Sequence, residues 1–144
     1  MSLQFFQKLK FYTMDSIEST NELAWKRLKT NLAHHGDVIV ANYQSKGKGQ
    51  NSNSWYSSHG TNLLFSFICK DIHLKATQLP ALNMAVSLAI YDFLNFYFPE
   101  NTKIKWPNDL LINDKKIAGI LLETSLQGDW VKNAVIGIGI NVNE

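Results

Sequence analysis

Residues 105–125 read KWPNDLLINDKKIAGILLETS. Two apolar runs, LLI and IAGILL, are separated by Asn113 and Asp114, residue types that accept the left-handed backbone of a tight hairpin turn. The stretch therefore predicts two antiparallel strands. Pro107 cannot donate to a strand ladder, so the preceding run KIK is expected to be a further strand that ends there. Downstream, WVKNAVIGIGINVN (130–143) reads as one more strand, reached through the turn QGD. Upstream, GDVIVANYQ (36–44) and NLLFSFIC (62–69) are β-branched or aromatic runs on either side of a polar loop, SKGKGQNSNSW (45–55). Strands outnumber helices and several are joined by short turns, which predicts an α+β fold with a mixed, largely antiparallel sheet and helices packed on it.

Two segments carry helical patterns. STNELAWKRLK (19–29) places Leu23, Ala24 and Leu28 on one face and opens with Ser19 three residues before Glu22, the spacing of a capping box. LPALNMAVSLAIYDFLNFYF (79–98) is apolar on nearly all sides, with Pro80 near its start and Pro99 just past its end, and is expected to be a buried helix lying across the sheet.

With 144 residues, 45% of them hydrophobic, the chain can bury the core of one domain. A formal net charge of +2 is too small to point to nucleic acid. No apolar stretch reads as an uninterrupted membrane span and the N-terminus lacks a signal-peptide pattern, so a cytoplasmic address with no membrane partner is expected. Cys69 is the single cysteine, which excludes an internal disulfide and a cysteine zinc cluster. The four histidines show no ligand spacing, no metal-ligand residues are assigned, and His34 with His35 are expected to cap a helix end. Of the 14 cationic residues only Arg27 is an arginine, so an anion would be met by lysines, amides and backbone N–H groups.

Four local signals suggest chemistry. Gly47 and Gly49 beside Lys46 and Lys48 outline an anion cradle, although a solvated hairpin loop explains the same composition and the Walker spacing is absent. Lys103 and Lys105 share one face of their strand, followed by Asn108 and Asp109, which either reach a ligand or form a turn. Lys116 is expected to share a face with Ala118 beside Gly119, as a buried lysine near a close backbone approach or as an edge-strand lysine that blocks aggregation. Gly137 and Gly139 alternate on one face with Asn141, which calls for something lying against bare backbone.

Taken in order, STN, YQSKGKGQ with Trp55, KWPNDLLINDKKIAGIL and GIGINVN resemble the catalytic domain of biotin protein ligases, from about residue 11 to the last one. The resemblance implies a class II aminoacyl-tRNA synthetase-like domain that joins biotin to ATP with Mg²⁺. The product, biotinyl-5′-adenylate, then gives biotin to a lysine of a biotin carboxyl carrier protein domain, as in acetyl-CoA carboxylase. It implies biotin contacts from Ser19, Thr20, Asn21, Gln44, Lys48, Gly49, Gln50, Lys116, Gly119 and Leu121. ATP or adenylate contacts would come from Lys48, Gly49, Gln50, Trp55, Lys105, Asn108, Asp109 and Asn141. Lys116 would be the catalytic group, beside the biotin carboxylate and α-phosphate. The loop would close over the ligand and exclude water. Where many members carry GRGRxGRxW this chain has GKGQNSNSW, so lysine and amides stand where arginines are common. The expected unit is one domain, 1–144, incomplete at its C-terminus and without a preceding helix-turn-helix domain; a homodimer is compatible with it. A lipoate-protein ligase-like enzyme and a non-catalytic biotin- or adenylate-binding fragment are the alternatives.

Overall fold

The computed structural model describes residues 9–143. Its strands are β1 (Lys10–Ile17), β2 (Asp37–Gln44), β3 (Leu63–Cys69), β4 (Leu74–Lys75), β5 (Thr102–Lys105), β6 (Asp109–Ile112), β7 (Lys115–Gln127) and β8 (Trp130–Ile140). The helices are α1 (Thr20–Lys29) and α2 (Leu79–Tyr97). All eight strands join one sheet, ordered β1-β2-β3-β8-β7-β6-β5, with β4 pairing to β8 beside that path. Only β1 and β2 run parallel, so the sheet is mixed and largely antiparallel, as the sequence predicts. Edge strand β1 escaped the sequence reading. Its half-buried Tyr12 and Met14 alternate with exposed Phe11, Thr13 and Asp15, a period-two signal too short and too weakly apolar to stand out in the sequence.

The β6–β7 hairpin turns where expected, with Asn113 at φ 50° and Asp114 at φ 64°, the left-handed pair that matches the twist of two antiparallel strands. β5 stops at Lys105, ahead of a cis Trp106–Pro107 bond. A register shift between Leu110 and Leu111 then pairs Leu110 with Ala118 but Leu111 with Lys116, leaving Ile117 as an extra residue in β7. Such a bulge reverses which face the residues before it point to.

The sheet has two unlike faces. On one, Ala24 of α1 packs with Ile39, Ile68 and Val135, supported by Leu23, Trp25 and Leu28. On the other, Leu94 of α2 packs with Leu110, Ala118, Ile120, Ile136, Ile138 and Ile140. Cys69 sits at the edge of this second cluster as apolar filler, and burial pushes its thiol up to about 11.

α2 corrects the expectation of a buried helix. Ser87 and Leu94 are its buried residues, whereas Met84, Leu88, Phe93, Phe96 and Tyr97 are exposed. An all-round apolar composition hides which stripe meets the sheet, because only a polar face marks the solvent side. By length and composition alone the run Ala76–Tyr97, with mean hydropathy 1.3, could also span a membrane, which corrects the reading that no stretch could. Here it lies against β5 and β6 and lends Leu94 to the core. The histidine expectation also fails: Thr30 caps α1, while the His34 backbone N–H donates to Asp37 and the His35 ring accepts from the Lys70 N–H.

Because Leu94 anchors α2, Leu94→Ala should cost about 2–5 kcal/mol of stability. Phe96→Ser, on the exposed face, should stay within about 0.5 kcal/mol of the parent. Denaturant midpoints of the two variants check this, and equal losses would speak against the assigned packing face.

Candidate functional site

The face that carries α1 also carries a cleft of 280 Å³. Its floor is the bare backbone of Gly119 on β7 and of Gly137 and Gly139 on β8. Gly119 and Gly139 are direct partners across the two strands, and Gly137 pairs with Leu121. The glycines are required by what lies on them. A Cβ at Gly137 would collide with the side-chain amide of Asn21, and one at Gly139 would come within 2.5 Å of the Trp55 ring. A Cβ at Gly119 would meet the same ring at 2.6 Å. The expectation that something lies against these glycines is therefore met by two of the chain's own side chains.

The wall beside the floor is the start of α1. Ser19 caps the helix by accepting from the Glu22 N–H at 3.5 Å. The reciprocal half of the capping box is not made, because the Glu22 carboxylate instead pairs with Lys48 at 2.7 Å. Thr20 donates to Gln44 Oε1 from both its backbone N–H (2.7 Å) and its hydroxyl (2.9 Å). Asn21 donates through Nδ2 to Glu123 Oε2 at 2.8 Å, and its Oδ1 contacts the Ser66 hydroxyl. Ser19, Thr20, Asn21 and Ser66 are all buried, so each of their polar atoms must be satisfied inside the protein or by a ligand. Ser66, Glu123 and Trp25, whose indole N–H also reaches Glu123 at 3.2 Å, were not singled out from sequence. The available signal was a serine inside the apolar run LLFSFIC and a carboxylate closing the run GILLE.

The glycine–lysine loop forms the lid side of the cleft. It is a small folded hairpin, with a bridge between Lys48 and Ser54 and hydrogen bonds from the Gly49 N–H to Asn53 O and from the Trp55 N–H to Gly47 O. Gly49 thus donates within the loop rather than outward. Lys46 pairs with Glu18 and Lys48 with Glu22, and these hydrogen-bonded carboxylates raise both ammonium groups above the usual lysine range. The buried indole Nε1 of Trp55 has no partner among the described residues.

Opposite the loop, Lys116 reaches Asp109 at 2.8 Å and lies 5.2 Å from the Trp55 ring centre. The bulge at Ile117 corrects its predicted orientation: Ala118 is fully buried in the opposite core, while the Lys116 stem lies 3.3 Å from where a Gly119 Cβ would stand. Lys116 is also 44% exposed rather than buried, so its ammonium stays accessible to an incoming anion. Lys105 lines the cleft, whereas Lys103 is held outside by Asp114 at 2.9 Å. Asn108 ties β6 to β7 by donating to Ile120 O, and Asp109 is the one carboxylate lining the cleft among the described residues.

All the residues named for ligand contact therefore converge on this cleft except Asn141, whose Nδ2 donates to Lys116 O at 3.3 Å and steadies the lysine strand. Glycine-floored, walled by hydroxyls and amides, and flanked by Lys48, Lys105 and Lys116, the cleft suits a ligand with a polar ring at one end and anionic oxygens at the other.

The chain belongs to the biotin/lipoate A/B protein ligase family, whose profile matches residues 13–141. Among curated proteins it is 40% identical over 131 residues to the bifunctional ligase/repressor BirA of Bacillus spizizenii, covering 90% of this chain and 39% of that protein. Among solved structures it resembles the Aquifex aeolicus biotin protein ligase in complex with biotin and ATP, at 31% identity and TM-score 0.71, covering 94% of this chain and 53% of that one. It also resembles the Helicobacter pylori biotin acetyl coenzyme A carboxylase synthetase with bound biotinylated ATP, at 29% identity and TM-score 0.72, covering 93% and 61%. The chain thus spans about two-fifths of the length of that curated relative.

Gly137→Ala and Gly139→Ala should each cost about 1–3 kcal/mol through overpacking against Asn21 and Trp55. Denaturant unfolding checks the loss; a change below about 0.5 kcal/mol would show that the floor tolerates a methyl group.

Proposed function

We propose that this chain carries the ligand-activating part of an ATP-dependent biotin protein ligase. It would form biotinyl-5′-adenylate and release pyrophosphate before biotin passes to a lysine of a carboxyl carrier domain. The observation that carries this reading is the joining, across one glycine floor, of the Thr20–Gln44 polar wall to the Lys116 and Lys48 ammonium groups. The wall suits the ureido ring of biotin, which needs both a donor and an acceptor. The lysines suit the carboxylate and α-phosphate, where negative charge builds as the carboxylate attacks phosphorus.

In this reading biotin displaces nothing in the wall but competes with two carboxylates for the lysines. Both ion pairs are substantially exposed on the lysine side, and such pairs are worth about 0–1 kcal/mol. Exchange of Asp109 and Glu22 for phosphate oxygens is therefore cheap. Trp55 offers a broad apolar surface beside Lys116 for the adenylate base, and the loop that carries it shields the mixed anhydride from water. Mg²⁺ is held at such sites by one or two carboxylates together with the substrate's own phosphates. Asp109 fits that role, and the ion would neutralise charge on the departing pyrophosphate. We place the reaction in the cytoplasm, where the single unpaired Cys69 is at home.

Lys116→Ala should slow pyrophosphate release from ATP plus biotin by about a hundredfold or more, the scale of losing one transition-state charge partner. Circular dichroism should show the fold unchanged, since Lys116 is half exposed. Lys116→Arg should restore only part of the rate, because a planar fork replaces a point charge. Near-normal turnover in folded Lys116→Ala would overturn the assignment, and lipoate-dependent release exceeding biotin-dependent release would favour lipoate as the acid.

A further inference from the structure

We propose that Asn83 of α2 is a positioning residue for the ATP end of the cleft, acting through the carbonyl of Pro107. The inference rests on the ATP-dependent ligase reading above.

Residues 106–108, which connect β5 to β6, line the cleft together with Lys105 and Asp109 at their two ends. Lys105 and Asp109 face each other across the base of the connection. Lys105 is also the one cleft lysine without a carboxylate partner among the described residues, since Lys48 pairs with Glu22 and Lys116 with Asp109. Its ammonium is thus open to an incoming polyphosphate. The connection is held unevenly. Its exit is tied to β7, where Asn108 Nδ2 donates to Ile120 O and the Ile120 N–H donates back to Asn108 O, both at 3.0 Å. Its entry lacks such ties: Trp106 is 79% exposed, and Pro107 has no N–H to give. β5 is the outermost strand, bonded to β6 alone, so no second ladder steadies its end. The hold comes from the helix on the opposite face of the sheet. Asn83 Nδ2 donates to Pro107 O at 2.6 Å, and the Ser87 hydroxyl lies 3.5 Å from the same oxygen.

The amide of Asn83 can stand only one way. Two carbonyl oxygens cannot bond each other, so Nδ2 must face Pro107 and Oδ1 must point elsewhere. There Oδ1 is buried with no partner among the described residues. An unpaired buried acceptor weakens a fold, so this side chain adds little net stability despite its short bond. Its donor draws the Pro107 carbonyl toward α2, and the two flanks of the connection, with Lys105 and Asn108, are thereby set on the cleft side. Asn83 itself does not line the cleft and acts on ligand only through this carbonyl.

The test separates the placement of ATP from stability and from biotin binding. KM values for ATP and for biotin in pyrophosphate release, together with denaturant midpoints, are measured on the full chain. Asn83→Ala should raise the ATP KM about three- to tenfold, the scale of one lost hydrogen bond, and leave the biotin KM within about twofold. Its midpoint should match the parent's, because losing the bond and losing the unpaired oxygen offset each other and alanine suits a helix interior. Asn83→Asp keeps the shape but sets an acceptor against the Pro107 carbonyl, and should raise the ATP KM at least as far. A purely structural role would raise both KM values in parallel and lower the midpoint, and that result would overturn the inference. So would an unchanged ATP KM in folded Asn83→Ala and Asn83→Asp, while leaving the ligase reading intact. A parent chain that released no pyrophosphate from ATP plus biotin would overturn both.

Discussion

Everything at the cleft hangs from a strip of strand backbone that has no side chains. Gly119, Gly137 and Gly139 let the start of α1 and the indole of Trp55 descend onto the sheet to distances that a methyl group would forbid. Glycine weakens a strand, by about 0.5–1 kcal/mol relative to alanine in an element interior. The strip survives because β8 is flanked on both sides, by β3 and by the 13-residue β7, whose ladders hold the backbone independently of side chains on the cleft face. The opposite face of the same strands supplies Ile136, Ile138, Ile140 and Ile120 to the core, so one face stabilises what the other leaves bare.

From that strip the site divides into two electrostatic regimes. Near α1 the polar groups are buried and neutral apart from Glu123, and their order is dictated by which atoms can donate. At the other end the groups are charged and partly exposed, and each cleft lysine that pairs with a carboxylate does so where solvent keeps the bond weak. A rigid end that recognises and a loosely paired end that can exchange partners are what an enzyme needs when its substrate must be held at one end and react at the other.

Much of this was legible in the sequence. The hairpin at Asn113 and Asp114, the strand ended by Pro107, the helix opening at Ser19 and the glycine alternation of GIGIN are set by local backbone chemistry, and each appears where that chemistry predicts. The residues singled out for the site converge because they sit at the ends and glycine positions of these elements. Asn141 is the exception, held back under the Lys116 strand.

Other features depend on contacts that sequence spacing does not encode. Strict alternation places Lys116 with Ala118, yet one extra residue in β7 at Ile117 turns the lysine to the glycine face; a bulge is a property of the pairing between β6 and β7, not of either strand alone. The solvent-facing stripe of α2 is invisible in a helix whose residues are apolar nearly all round. Ser66 and Glu123 lie 45 and 102 residues from Asn21, and their link to it exists only once β3, β7 and α1 are brought together. By itself the sequence determined where the chain turns, where backbone is bare and which groups carry charge, because these follow from each residue's own φ, size and protonation. The tertiary structure alone decided which face Lys116 joins and which way the buried protons point, because both depend on partners contributed by other strands.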